Sequence, residues 1–69
     1  MSELIFASRI KELRENHNMT IRMLADELKI SYSSISLYEN AKREPTLSVM
    51  KAYAKYFNVT LDYLSGLED

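Results

Sequence analysis

Three segments of the chain repeat one pattern, in which an apolar residue precedes a hydroxyl residue and a second apolar residue follows the hydroxyl four positions later. These residues are Met19, Thr20 and Leu24, then Ile30, Ser31 and Ile35, and finally Val59, Thr60 and Leu64. A hydroxyl oxygen can accept a hydrogen bond from an amide in the first turn of a helix, and the two apolar side chains can pack together across that turn. Each segment therefore predicts the start of a helix, and three matching start signals in 69 residues are unlikely to arise by chance.

The residues before the first of these segments predict another helix. Its apolar side chains recur at helical spacing and are Phe6, Ile10 and Leu13. Ser2 or Ser8 is expected to begin this helix, and the polar stretch 16–18 is expected to end it.

A fourth helix is expected after Pro45, with Thr46 as its cap. The residues expected to face the core from this helix are Leu47, Met50, Ala54 and Phe57. Tyr53 is expected to flank that stripe, and Gly66 is expected to end a fifth helix. The sequence thus predicts an all-α fold of five helices in one domain, residues 1–69.

The composition excludes several kinds of site. The chain has no cysteine and a single histidine, His17, so neither a disulfide nor a cysteine or multi-histidine metal site is expected. The longest apolar run, residues 4–7, is far too short for a membrane span or a signal sequence. The sequence also lacks a nucleophile–base pair and a glycine-rich phosphate loop, and one small core leaves no room for a substrate pocket. We therefore expect a cytoplasmic protein that is not an enzyme and needs no metal or other cofactor.

Residues 20–39 have the pattern of two short helices that cross at a steep angle. The apolar or small residues that would hold these helices together are Leu24, Ala25, Leu28, Ile30, Ile35 and Tyr38. The small side chain of Ala25 allows the helices to approach closely, and the start of the second helix, residues 32–37, then lies in solvent. This arrangement is a helix-turn-helix, whose protruding second helix suits insertion into the major groove of DNA.

The charge distribution is compatible with DNA, although nine basic and ten acidic residues give a formal net charge of −1. Residues 9–58 hold all nine basic residues and six of the acidic ones, a local balance of +3. A specific binder needs only a few well-placed cations. The lack of a strongly basic surface predicts weak nonspecific binding to DNA.

Four blocks of sequence resemble a known family, the Cro/C1-type (Xre-like) helix-turn-helix regulators of bacteria and their phages. The blocks are RIKELRE at 9–15, MTIRMLADELKIS at 19–31, SSISLYENAKREPTL at 33–47 and FNVTLDYLSG at 57–66. The resemblance covers roughly residues 6–66. It implies a compact five-helix, lambda-repressor-like DNA-binding domain whose third helix reads double-stranded DNA, usually as a homodimer on an inverted-repeat operator.

The resemblance also assigns residues to the DNA contact. The positions that match base-facing sites of the third helix are Tyr32, Ser33, Ser36 and Leu37. The positions that match phosphate-binding sites are Thr20, Arg22, Asn40, Lys42 and Arg43. Hydroxyl groups bond either kind of base weakly, so DNA shape is expected to contribute to specificity. The family further implies a structural ion pair between Arg14 and Glu39.

The chain departs from the family pattern at four positions that bear on DNA contact. Ile21 stands where many members have a glutamine that bonds phosphate or base, and Met23 replaces an acidic or polar surface residue. Leu37 replaces a frequent lysine, arginine or glutamine, so the side that faces DNA is expected to be unusually apolar. Lys29 stands where glycine commonly makes the turn, and a left-handed backbone there would cost about 1 kcal/mol.

Taken with the resemblance, the sequence predicts a transcriptional repressor that binds its operator as a homodimer. The dimer is expected to form through the fifth helix and the C-terminal turn, with Tyr63 and Leu67 at the interface. Both side chains could instead fold back onto the fourth helix. Likewise, the serines of 31–36 could serve only as caps and surface, and Lys42 and Arg43 only as a solvated loop. The functional alternative is a protein-interaction module, such as an antitoxin or the target of an antirepressor or other regulatory protein, which would use exposed Ile21, Met23 and Leu37.

Overall fold

The computed structural model describes residues 3–68 and contains five α-helices and no strand in that range. The helices are α1 (Glu3–Asn16), α2 (Ile21–Leu28), α3 (Tyr32–Glu39), α4 (Leu47–Phe57) and α5 (Leu61–Ser65). The predicted all-α, five-helix architecture is therefore confirmed. Ser8 lies inside α1, so the prediction of a helix start at Ser8 is wrong, and Ser2 lies outside the described residues.

Four of the helices begin with a hydroxyl side chain that accepts a hydrogen bond from an amide three residues later. The bonds run to Thr20 from Met23 (3.1 Å), to Ser31 from Ser34 (3.1 Å), to Thr46 from Val49 (3.2 Å) and to Thr60 from Tyr63 (3.0 Å). Each of these four residues has an extended backbone that turns the chain into the helix. All four predicted caps are confirmed, and they fix where α2 to α5 start.

All five helices end in the same way, with one left-handed residue followed by an amide that bonds a carbonyl five residues back. The left-handed residues are Asn18, Lys29, Ala41, Asn58 and Gly66, with φ between 55° and 88°. The amide-to-carbonyl bonds run from Met19 to Arg14, Ile30 to Ala25, Lys42 to Leu37, Val59 to Ala54 and Leu67 to Asp62, at 2.8–3.2 Å. This geometry satisfies carbonyls that a helix end leaves unpaired.

Three of the connections between helices use one apolar residue for two purposes. Met19, Ile30 and Val59 each donate the bond that closes the preceding helix. Each also stands just before the next cap and packs against the hydrophobic core. The α2–α3 and α4–α5 connections are consequently only three residues long, 29–31 and 58–60, so the directions of successive helices are closely determined.

The core lies where all five helices meet. Its buried side chains are Phe6, Ile10, Leu24, Ala25, Ile35, Tyr38, Met50, Tyr53, Phe57 and Leu64. Phe6 is fully buried and meets the rings of Tyr38 and Tyr53 edge to face, with centroid distances of 6.3 and 5.7 Å. α1 therefore supports α3 and α4 through one aromatic cluster.

The stripe predicted for α4 is wrong at two positions. Tyr53 is fully buried and stacks against Phe57, so it forms part of the core and does not flank it. Leu47 is 58% exposed. It is the first residue of α4, and side chains in a helix lean toward its N-terminus, so Leu47 points past the edge of the core.

The described part of the chain offers no membrane-spanning helix, because none of its helices is both long and apolar enough. Among the described side chains, residues 4–68, there is also no group of three or more His, Asp or Glu that could hold a metal ion.

Candidate nucleic-acid interface

α3 presents the side opposite the core as a surface of short side chains. Ile35 and Tyr38 are buried and define its inward side. Successive residues of a helix are about 100° apart, so Ser33 lies opposite the inward side. Ser36 and Leu37 lie on either side of Ser33 on this outward face. Tyr32 falls on one flank of this outward face.

The four residues predicted to read bases differ in their exposure. Tyr32 is 51% exposed, and Ser33 is also exposed. Ser36 and Leu37 are half-buried, so Leu37 extends less far into solvent than expected. The structure brings all four to one side of α3, which is the arrangement that a major-groove contact requires. Their contact with bases stays a prediction.

Three of the five residues predicted to bind phosphate lie at helix ends. Thr20 is the cap of α2, and its hydroxyl oxygen already accepts the amide of Met23. Asn40 follows α3 directly, and its side-chain amide donates to the carbonyl of Ser36 at 2.7 Å. Arg22 lies in the first turn of α2 and is exposed. The contact of these residues with phosphate stays a prediction.

Lys42 and Arg43 follow α3 on the loop that leads to α4, and both are exposed. A guanidinium nitrogen of Arg43 donates to the hydroxyl of Ser34 at 3.2 Å. Ser34 also accepts a hydrogen bond from the hydroxyl of Ser31 at 2.8 Å. The loop is therefore bonded to the first turn of α3, which the sequence did not indicate.

The only acidic residue of α3, Glu39, is neutralised within the fold. Its carboxylate accepts bonds from Arg14 at 2.8 and 3.0 Å, and the two side chains are only 12% (Arg14) and 4% (Glu39) exposed. The hydrogen bond from the guanidinium to Glu39 raises the pKa of Arg14 above its usual value. Because Glu39 is covered and paired, its charge does not oppose an approaching phosphate backbone.

The expectation of an apolar DNA-facing side is wrong for Ile21. Ile21 is half-buried and packs against the core, because it lies three and four residues before Leu24 and Ala25 and so shares their side of α2. Met23 is exposed as expected. Lys29 has the expected left-handed backbone, with φ 57° and ψ 40°.

The two residues predicted at a dimer interface have different surroundings. Leu67 is 79% exposed. Tyr63 is half-buried, because the guanidinium of Arg9 lies over its ring at 4.4 Å. Arg9 also donates to the carbonyls of Tyr63 and Glu68. The prediction that Tyr63 is exposed is wrong. Arg9 of α1 covers its ring, a contact that the sequence did not suggest.

The comparison with protein families agrees with this geometry. A helix-turn-helix family model matches residues 10–64, which include α2, α3 and every buried core residue except Phe6. The chain belongs to the Cro/C1-type (Xre-like) helix-turn-helix family. This is a family of transcriptional regulators, which are not enzymes.

Three relatives illustrate the range of lengths in this helix-turn-helix family. YobD of Bacillus subtilis, an uncharacterized HTH-type transcriptional regulator, is 32% identical over 65 residues, which are 94% of this chain and 58% of YobD. The HTH-type transcriptional activator BcrR of Enterococcus faecalis is 34% identical over 64 residues, 93% of this chain and 31% of BcrR. An uncharacterized HTH-type transcriptional regulator of Methanocaldococcus jannaschii is 32% identical over 62 residues, 90% of this chain and 94% of that protein.

The chain therefore spans between about a third and three fifths of the two bacterial relatives. No solved structure matches the chain significantly.

Proposed function

We propose that residues 1–69 act in the cytoplasm as one DNA-binding domain that recognises a specific operator and represses transcription. The observation that carries this proposal is the outward face of α3. It presents hydroxyl groups to solvent, Arg22 and Arg43 contact the flanking residues Tyr32 and Ser34, and exposed Lys42 follows the helix. The one acidic residue of α3, Glu39, is paired inside the fold. A cationic rim around short side chains suits a helix that enters the major groove.

The contacts divide into two kinds. Arg22, Lys42 and Arg43 supply the sequence-independent attraction to phosphates. Ser33 and Ser36 bond base edges weakly, and Leu37 contacts thymine methyl groups. Since none of these three side chains makes a bidentate bond to a base, part of the specificity comes from the shape of the operator.

The protein binds as a homodimer, because one short reading helix with weak contacts selects too few base pairs. Two linked copies combine their base contacts and read two half-sites about 34 Å apart. The candidate interface is the C-terminal turn with exposed Leu67, together with Leu4, which is 73% exposed. Leu4 belongs to the same end of the molecule, since the neighbouring Ile5 lies against Gly66. Tyr63 contributes only the part of its ring that Arg9 leaves open.

Sedimentation with and without an operator duplex tests the dimer. We expect two protomers per duplex for the parent, and one protomer or weak binding for a Leu4→Asp, Leu67→Asp double variant that keeps its helical circular dichroism. Lys11→Asp, on an exposed part of α1, is the control. Unchanged stoichiometry and affinity in the double variant would rule out this dimer interface.

Selection of bound sequences from a random DNA pool tests the function itself. The expected product is an inverted repeat whose half-site centres lie about one helical turn apart. A reporter with this sequence between promoter and gene then gives the sign of regulation: expression falls when the protein is present. The relative BcrR is named an activator. A rise in expression would support DNA binding by this protein and contradict the proposal that it is a repressor.

A protein-interaction module, such as an antitoxin or an antirepressor target, is the alternative. Exposed apolar side chains on α2 and α4, Met23 and Leu47, favour it. A pool selection that enriches no sequence, together with a stoichiometric protein partner that Met23→Asp releases, would support this alternative and contradict the first.

A further inference from the structure

Tyr32 and Arg22 connect the first turns of the two helices in the helix-turn-helix. The guanidinium of Arg22 lies over the ring of Tyr32, 5.9 Å from its centroid. A cation at this distance is attracted by the negative face of the ring. Both side chains are exposed.

Ser34 makes the corresponding contact with Arg43. Its hydroxyl accepts a bond from Arg43 at 3.2 Å and another from Ser31 at 2.8 Å. Ser31 is itself fixed, because its hydroxyl oxygen accepts the amide of Ser34 as the cap of α3. Arg43 is thus bonded to a small network that already belongs to the first turn of α3.

Tyr32 and Ser34 lie on opposite flanks of α3. They are two residues apart, which on a helix is about 200° of rotation. Ser33 lies between them on the outward face and is exposed. The two arginines are therefore held on either side of the residue that is placed best to meet a base.

We propose that the first turn of α3 positions two arginines for DNA, Tyr32 holding Arg22 and Ser34 holding Arg43, so that the two guanidinium groups contact phosphates on both sides of Ser33. This inference rests on the proposed DNA-binding function. It makes Tyr32 and Ser34 positioning residues, which act through the arginines. The family resemblance assigns Tyr32 to the base-reading residues, and this inference gives it the positioning role instead.

The physical advantage of this arrangement is preorganisation. A free arginine on a helix surface samples many rotamers and loses that freedom when it binds a phosphate. A ring or hydroxyl that already restricts the side chain reduces this loss, so the guanidinium contacts its phosphate in a larger fraction of the bound complexes. Both the affinity and the salt dependence of binding then rise.

Salt dependence of binding to the selected operator tests the Tyr32–Arg22 pair. Arg22→Ala removes one phosphate contact from each protomer and lowers the magnitude of the slope of log K against log salt by about 0.9 per protomer, or about 1.8 for the dimer. Tyr32→Ala is expected to lower the slope by at least about half of that amount, although it removes no charge. Tyr32→Phe keeps the ring and is expected to keep the slope. In an Arg22→Ala background, Tyr32→Ala is expected to cause no further change.

The Ser34–Arg43 pair is tested in the same way. Ser34→Ala is expected to reduce the slope in the parent and to have no effect in an Arg43→Ala background. Ser8→Ala, at an exposed serine in the middle of α1, is the matched control and should change nothing. Circular dichroism confirms that each variant keeps the helices.

Two results would overturn the inference while the proposed function stands. One is a Tyr32→Ala variant that leaves the salt slope unchanged and shifts base preference, since Tyr32 would then read bases directly. The other is a Tyr32→Ala or Ser34→Ala substitution that lowers the salt slope as much in the Arg22→Ala or Arg43→Ala background as it does in the parent. A parent protein that binds no selected duplex would overturn the proposed function, and the inference with it.

Discussion

Arg14 in the last turn of α1 and Glu39 at the end of α3 form a bidentate ion pair, with bonds of 2.8 Å from Nε and 3.0 Å from Nη2. The remaining guanidinium nitrogen of Arg14, Nη1, donates to the carbonyl of Met19 at 2.7 Å. One side chain therefore ties together the end of α1, the connection to α2 and the end of the proposed reading helix. The pair fixes the position of α3 relative to the core without using any outward-facing residue.

Arg14→Ala is expected to destabilise the protein by about 3 kcal/mol, because it leaves the covered carboxylate of Glu39 without its partner. Urea unfolding at low temperature measures the loss. Lys11→Ala, at an exposed position of the same helix, should change the free energy of unfolding by less than about 0.5 kcal/mol. Equal effects of the two substitutions would contradict a stabilising role for the pair.

Tyr53→Phe is expected to be neutral or to stabilise the protein by about 1 kcal/mol at pH 7. The hydroxyl of Tyr53 is buried and has no hydrogen-bond partner among residues 4–68, so removing it leaves no group unsatisfied.

The same substitution should change the response to alkali. Burial, and then the charge of Glu39, raises the pKa of the Tyr53 hydroxyl well above its usual value of 10.0. The unfolded chain therefore loses this proton first, and the associated stability is present below pH 10 and is lost as the pH rises. Between pH 9 and 11, Tyr53→Phe should gain about 1.4 kcal/mol relative to the parent. Tyr56→Phe, at an exposed tyrosine, is the control, and an equal gain there would refute the assignment.

Lys29→Gly and Ala41→Gly are each expected to stabilise the protein by about 1 kcal/mol. Both residues have positive φ (57° and 56°), where a side chain meets its own backbone. The matched control is Lys11→Gly, inside α1, which should destabilise by about 1 kcal/mol because glycine is a poor helix former. Thermal unfolding separates the two signs, and a loss of stability at position 29 or 41 would contradict the left-handed geometry.

Ser33→Ala and Lys42→Ala are expected to act on different properties of DNA binding. Ser33 lies on the outward face of α3, so its removal should change which operator variants bind best. Lys42 lies beyond the helix, so its removal should weaken all sequences alike and lower the salt slope by about one unit per protomer. A change of base preference in Lys42→Ala and none in Ser33→Ala would show that the reading surface is assigned wrongly.

The local structure of the chain could be predicted because it depends on neighbouring residues. The hydroxyls at Thr20, Ser31 and Thr60 and the apolar residues around them are sufficient to begin each helix. The helix ends were less evident, since only Gly66 has the usual residue for a left-handed backbone. Asn18 and Asn58 stand at the same offset before a cap as Lys29, and asparagine tolerates this backbone well. This recurring position two residues before each cap could have indicated that the helices end with a left-handed residue.

Contacts between distant helices could not be predicted from spacing. Leu47 has the spacing of a core residue but lies beyond the end of the core, and Tyr53 is drawn into the centre because Phe6 from α1 meets its ring. Arg9 covers Tyr63 from the other end of the sequence. The Arg22–Tyr32 and Arg43–Ser34 contacts likewise depend on how α2 and the loop after α3 approach the reading helix. A helical period indicates which side of a helix is buried and says nothing about the partner.

The most direct test of the central claim, specific DNA recognition through α3, is the affinity of the protein for a selected operator and for a shuffled duplex of the same composition, both at physiological salt. We predict that the parent binds the operator at least about 1,000-fold more tightly than the shuffled duplex. A Ser33→Ala, Leu37→Ala double variant should lose most of this ratio and keep its weak affinity for the shuffled duplex. Equal affinity of the parent for both duplexes, or an unchanged ratio in the double variant, would contradict the claim.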